Sequence, residues 1–229
     1  MTKLNPLWLC LLLIGCGQYP NPNDLASVQP EHRVEIANKR LEAAETTLQY
    51  KVGVSHEISD GRRNQLIQEL AEDMLKSVDP KVIPESDLWM YAALLRVTNR
   101  WAEAETALVA AVKVAKTEDR RVNDTLKLAQ AQAKNAKVTE AISTANSVLN
   151  VADGDAAPVL PAILYEVVPA AQGKGHDKDL ADLLVKAIDC HRRVKVDLNS
   201  DAGKLFVAAS RHHIDMAQLK IEQLSGTKI

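Results

Sequence analysis

The sequence predicts an all-α chain of antiparallel helical hairpins, about eight to ten helices in all after a signal peptide. Three observations predict it. Apolar residues recur three and four positions apart along most of the chain beyond residue 31, the period of a helix face. Ala and Leu dominate the apolar content, whereas one Phe, three Trp and four Tyr leave little of the aromatic content favoured in strands. Two hairpin-like stretches also repeat 37 residues apart, with Ala92, Trp101 and Ala104 matched by Ala129, Val138 and Ala141.

At the amino terminus, Lys3 precedes an almost wholly apolar run from Leu4 to Ile14, with Asn5 and Pro6 as the exceptions. The run is too short to span the roughly 30 Å hydrocarbon core of a bilayer and suits the h-region of a secretory signal, assigned to residues 1–15. It ends in Leu13-Ile14-Gly15-Cys16, which resembles the lipobox of bacterial lipoproteins. The resemblance implies that Cys16 carries the acyl chains and begins the mature protein, tethered to a membrane without spanning it. Gly17 stands where Asp would resemble an inner-membrane retention signal, so an outer membrane, facing the periplasm, is expected in a cell with two membranes. Residues 16–30 combine the lipidated Cys with a Gly-, Pro- and Asn-containing flexible linker.

The helical domain is expected over residues 31–224, with 225–229 as a tail. Val34, Ala37, Leu41, Ala44 and Leu48 mark a first long amphipathic helix, and Leu66, Leu70, Met74 and Leu75 mark a second. Together they form an atypical pair near 31–78, ended by Asp79-Pro80 and Pro84. The pair near 86–116 is the best formed. Ser86 and Asp87 are placed to cap a helix carrying Leu88, Trp89, Ala92 and Leu95. Asn99 tolerates the left-handed turn that follows. Trp101, Ala104, Leu108 and Ala111 then stripe a helix whose small residues allow close approach. Thr117 and two acidic residues open the next pair, near 118–150. A pair near 158–190 follows, with Pro161 in a first turn and Pro169 placed to kink or end its helix. The region 200–224 reads either as one long helix or as a pair bent near His212-His213.

The order Ala92, Trp101, Ala104, Leu108, Ala111 resembles the tetratricopeptide repeat. The sequence departs from that pattern at Asn99, where Gly is usual, and in lacking a closing Pro near Lys116. Its period of 37 also exceeds the family's 34. The resemblance implies a right-handed α-solenoid whose first helices line a concave groove, with Trp89, Ala93, Arg96, Gln130, Ala133 and Lys134 facing it. Trp89 is read equally as a groove anchor or as packing between hairpins. Trp89 and Ala93 replace the Lys and Asn with which some family members clamp a terminal carboxylate, so that clamp is not expected.

The chemistry-bearing residues are sparse. Lys3 is the only one of 28 Lys and Arg that precedes Cys16, and none of the 30 Asp and Glu does, so the mature chain is near neutral and presents no case for nucleic acid. Cys10 leaves with the signal and Cys16 is lipidated, so Cys190 has no intramolecular partner and is expected to be buried. There is no HExxH, GxSxG, Walker loop or paired CxxC, and no catalytic residue or cofactor is assigned. His212 and Asp215, three apart on a helix, are weak metal candidates that need further ligands such as Cys190 or His191. The expected function is non-enzymatic: a membrane-anchored scaffold that binds an envelope protein or peptide. A metal- or small-molecule-binding helical domain, or a purely structural surface lipoprotein, are the alternatives.

Overall fold

The computed structural model describes residues 24–226 apart from residue 57. Among the described residues nine α-helices run in order: α1 Arg33–Gly53, α2 Asp60–Leu75, α3 Leu88–Val97, α4 Trp101–Val114, α5 Glu118–Lys134, α6 Val138–Asn146, α7 over 159–171, α8 Asp177–Arg192 and α9 Asp201–Ser225. No strand occurs among the described residues, and no helix among them is long and apolar enough to cross a membrane. The signal segment and Cys16 lie outside the described residues.

The chain is all-α, but the expected right-handed, tetratricopeptide-like solenoid does not form. In an open stack each hairpin meets only its sequence neighbours. Here α1 packs on α3 as well as α2, α5 packs on α4, α6 and the whole of α7, and α8 packs on α6 and α7 as well as α9. The helices therefore close into a compact bundle around two apolar cores.

The reason lies in α5. Val122, Leu126, Ala129 and Ala133 face the second core in chain order, together with Leu160, Ile163, Leu180 and Leu184. Leu128 and Ala131 face the other, with Leu94, Leu95, Ala104 and Leu108. A helix apolar on two faces cannot leave either to solvent, so it is enclosed from both sides. Each fully buried Leu contributes about 1.5–3 kcal/mol relative to exposure, and Leu94, Leu95, Leu108, Leu160, Leu180 and Leu184 are all fully buried.

Local chemistry explains some of the boundaries. Asp87 and Thr117 stand at the N-cap positions of α3 and α5, yet neither side chain makes the capping bond. The serines do: Ser59 Oγ accepts from the Arg62 N–H at α2, and Ser200 Oγ from the Gly203 N–H at α9. The α3–α4 turn places Asn99 at φ 58°, and the α5–α6 turn places Ala136 at φ 63°. These positions are 37 apart, so the two hairpins share one turn geometry although only one carries a residue suited to it.

Pro169 does not end α7, which continues to Ala171. A π turn, Ile163–Val167, precedes it, and the Val168 N–H donates to the Ile163 carbonyl. A proline ring collides with the carbonyl four residues earlier in a regular helix, and the wider turn relieves that collision. Residues 201–225 form one unbroken helix that runs through His212-His213, not a pair.

Candidate functional site

A groove of about 860 Å³ opens between α1, α3 and α5. Asn38, Leu41, Glu42 and Glu45 of α1 form one wall. Trp89, Ala93, Arg96 and Val97 of α3 form the other, with Trp101 at its edge. Arg120, Asn123, Lys127 and Gln130 of α5 form the floor. It meets a second hollow of about 270 Å³ at Asn123 and Lys127, lined beyond them by Pro161, Tyr165 and Glu166 of α7. Toward α2 it meets a third at Glu45 and Asn64. The three form a continuous furrow across the bundle.

The floor exists because α5 carries a polar stripe opposite its apolar faces. Arg120, Asn123, Lys127, Gln130 and Lys134 follow the same three-four spacing as an apolar stripe. Of this set only Gln130 and Lys134 were expected at the groove, because the repeat pattern marks those two positions alone. Reading polar residues with helical period would have found Arg120 and Lys127.

Trp89, Arg96 and Gln130 line the groove, as does Ala93. Lys134 stands outside it, exposed, with its Nζ 5.5 Å from the centre of the Trp101 ring. Ala133 is buried in the second core and does not line the groove. Trp89 does two things at once. It packs against the first core, while the Arg120 guanidinium lies 3.3 Å over its ring. It is thus a platform for a cation more than a bare apolar anchor.

Three cations meet where the α3 wall joins the floor. Arg96 donates from Nε and Nη2 to Gln130 Oε1, at 3.0 and 2.6 Å, and from Nη2 to Glu166 Oε2 at 2.8 Å. Burial pulls its pKa down, against the charges of Glu166, Glu45 and Asp124, and the guanidinium stays charged. Arg120 Nε donates to Asp124 Oδ2 at 3.0 Å. Asp124 is buried, its Oδ1 has no hydrogen-bond partner, and burial raises its pKa against the pull of Arg120. Lys127, which projects between the two hollows, makes no hydrogen bond or ion pair with any described residue. Burial lowers its pKa and Arg96 lowers it further, opposed by Glu166 and Asp124.

The metal candidates gain no further ligands among the described residues. His212 and Asp215 are exposed on α9, and no group of three or more His, Cys, Asp or Glu suited to a metal occurs among the described residues. His213 instead turns inward to His191, ring centres 6.1 Å apart. Cys190 is buried, with Arg193 Nη2 3.4 Å from its Sγ.

No family model, curated protein or solved structure matches this chain.

Proposed function

We propose that this chain is a non-enzymatic binding protein, held at the cell envelope by acyl chains on Cys16, whose furrow takes an extended segment of a partner protein. The observation that carries the binding reading is the continuity of the furrow from Asn64 past Trp89 and Lys127 to Tyr165. A small molecule needs one enclosed pocket, whereas an extended chain advances about 3.3 Å per residue and needs a track. Polar floor groups and two Trp along the wall suit a peptide backbone and its side chains. The tether rests on Leu13-Ile14-Gly15-Cys16 following an h-region.

The test is a photo-reactive amino acid placed in the full-length protein in its own cells, at Ala93 in the groove or at exposed Val109 on α4. Groove binding predicts a discrete protein adduct from position 93, lost in Trp89→Ala and absent from position 109. Equal adducts from both positions sink it. For the tether, Cys16→Ser moves the protein out of the membrane fraction, and retention there refutes the anchor.

A further inference from the structure

We infer that the segment bound in the furrow places a carboxylate side chain, an Asp or Glu, against the ammonium of Lys127. The inference rests on the peptide-binding reading above and specifies its chemistry.

The other charged groups around Lys127 already have partners. Glu166 is engaged by Arg96 at 2.8 Å, and Asp124 by Arg120 at 3.0 Å. Those two arginines are internally matched. Lys127 sits on the same floor with no carboxylate in hydrogen-bond range, and the adjoining cations repel it. Lys127 is half-buried, and a partly desolvated ammonium without a partner is a cost to the fold that Met or Leu at this position would avoid. The side chain projects where two hollows meet, so a group entering along either can reach it.

Charge selects the kind of group. Arg96 and Arg120 each hold a carboxylate, Glu166 and Asp124, so Lys127 is the cation of this cluster left with its positive charge unmatched by a contact among the described residues. A carboxylate neutralises it. A phosphate dianion overshoots and also meets Glu42 and Glu45 on the α1 wall. The same two glutamates disfavour a polyanionic strand along the furrow and favour neutral or basic residues at that end of the segment. A polypeptide with an acidic residue toward α7 fits both ends.

The test uses the full chain and two synthetic pools of acetylated, amidated nonapeptides, identical except for a fixed central Glu or Gln. Binding is read from the indole N–H signals of Trp89 and Trp101 by NMR. A charge-assisted hydrogen bond predicts about tenfold tighter binding of the Glu pool. Lys127→Gln and Lys127→Met abolish that preference, and Lys127→Met raises the unfolding temperature of the free protein. If both pools move the indole signals equally, the carboxylate assignment fails while the groove reading stands. If neither moves them, the groove reading fails and takes the assignment with it. Inorganic phosphate displacing the Glu pool at equal concentration overturns the choice of carboxylate. A lower unfolding temperature for Lys127→Met overturns the claim that the ammonium is unpaired in the free protein.

Discussion

Arg96 and Glu166 stand 70 positions apart in the chain, yet the guanidinium of one donates to the carboxylate of the other at 2.8 Å. The bond joins α3, which belongs to the first core, to the π turn of α7, which belongs to the second. Arg96 is the more buried partner, its side chain 15% exposed against 36% for Glu166. Removing Glu166 therefore leaves the more deeply buried charge with only Gln130. Glu166→Ala is expected to cost about 1–3 kcal/mol, and an Arg96–Glu166 double-mutant cycle in urea to give a coupling of about 1 kcal/mol. Zero coupling would show the contact to be incidental.

Stability should fall on mild acidification. His191 is almost fully buried, and neither ring nitrogen has a partner at hydrogen-bond geometry. Burial lowers its pKa, and the nearby His213 lowers it further, with the Ala157 backbone opposing. His213 is lowered by burial and by His212, and its Nδ1 is likewise unpartnered. In the folded protein both stay neutral to lower pH than in the unfolded chain. Their contribution is thus complete above about pH 6.5, the unfolded value, and is lost as pH drops through the depressed folded values. Urea midpoints at pH 8 and pH 5 measure the loss, and His191→Phe should shrink it. An unchanged loss would place its origin elsewhere.

Ala136 holds a left-handed backbone with φ 63°. An L-residue with a Cβ is strained there by about 1–2 kcal/mol, a strain glycine does not have. Ala136→Gly should therefore stabilise the protein by about 1 kcal/mol, the reverse of the usual effect of adding glycine. Asn99→Gly, at the matching turn with φ 58°, should gain less because Asn already tolerates the region. Thermal unfolding of both variants checks the order.

Gly203 is required for a different reason. A Cβ at this position would fall 1.9 Å from the Asp197 carbonyl oxygen and 2.8 Å from its carbon, both backbone atoms. Its N–H also donates to Ser200 Oγ, the cap of α9. Gly203→Ala must push the 197–200 turn away from the helix start and should cost about 2 kcal/mol. Faster hydrogen exchange in the first turns of α9 would locate the damage. Wild-type exchange there would refute it.

Helices and hairpin turns were legible because an apolar stripe and a turn residue are local signals. Leu88, Ala92 and Leu95 announce α3, and Asn99 announces its end. The packing was not legible, because a stripe states that a helix has a buried face and not which helix covers it. Leu128 and Ala131 were the available warning, lying off the stripe of Leu126, Ala129 and Ala133. The solenoid expectation followed from treating a repeat seen in two hairpins as a plan for the whole chain. Trp89, Arg96 and Gln130 were placed at the groove from that same repeat, whereas Lys127 needed the polar stripe of α5. Glu166 reaches the site through a π turn that no spacing rule marks, and Pro169 was its only trace in the sequence.

The floor helix α5 serves the furrow and both cores with different faces of one rod. A ligand gripping Lys127 and Arg120 would therefore restrain a helix whose other faces hold Leu126 and Leu128 in separate interiors. By linkage, whatever tightens that grip protects the carboxy-terminal helices from opening, and whatever loosens α7 or α8 weakens the grip by the same factor. A chain truncated after α6 would keep every groove-wall residue of α1 and α3 yet leave the far side of α5 bare. The furrow is thus a property of the whole bundle, and an occupant of the kind proposed would gauge by its affinity whether both halves are folded.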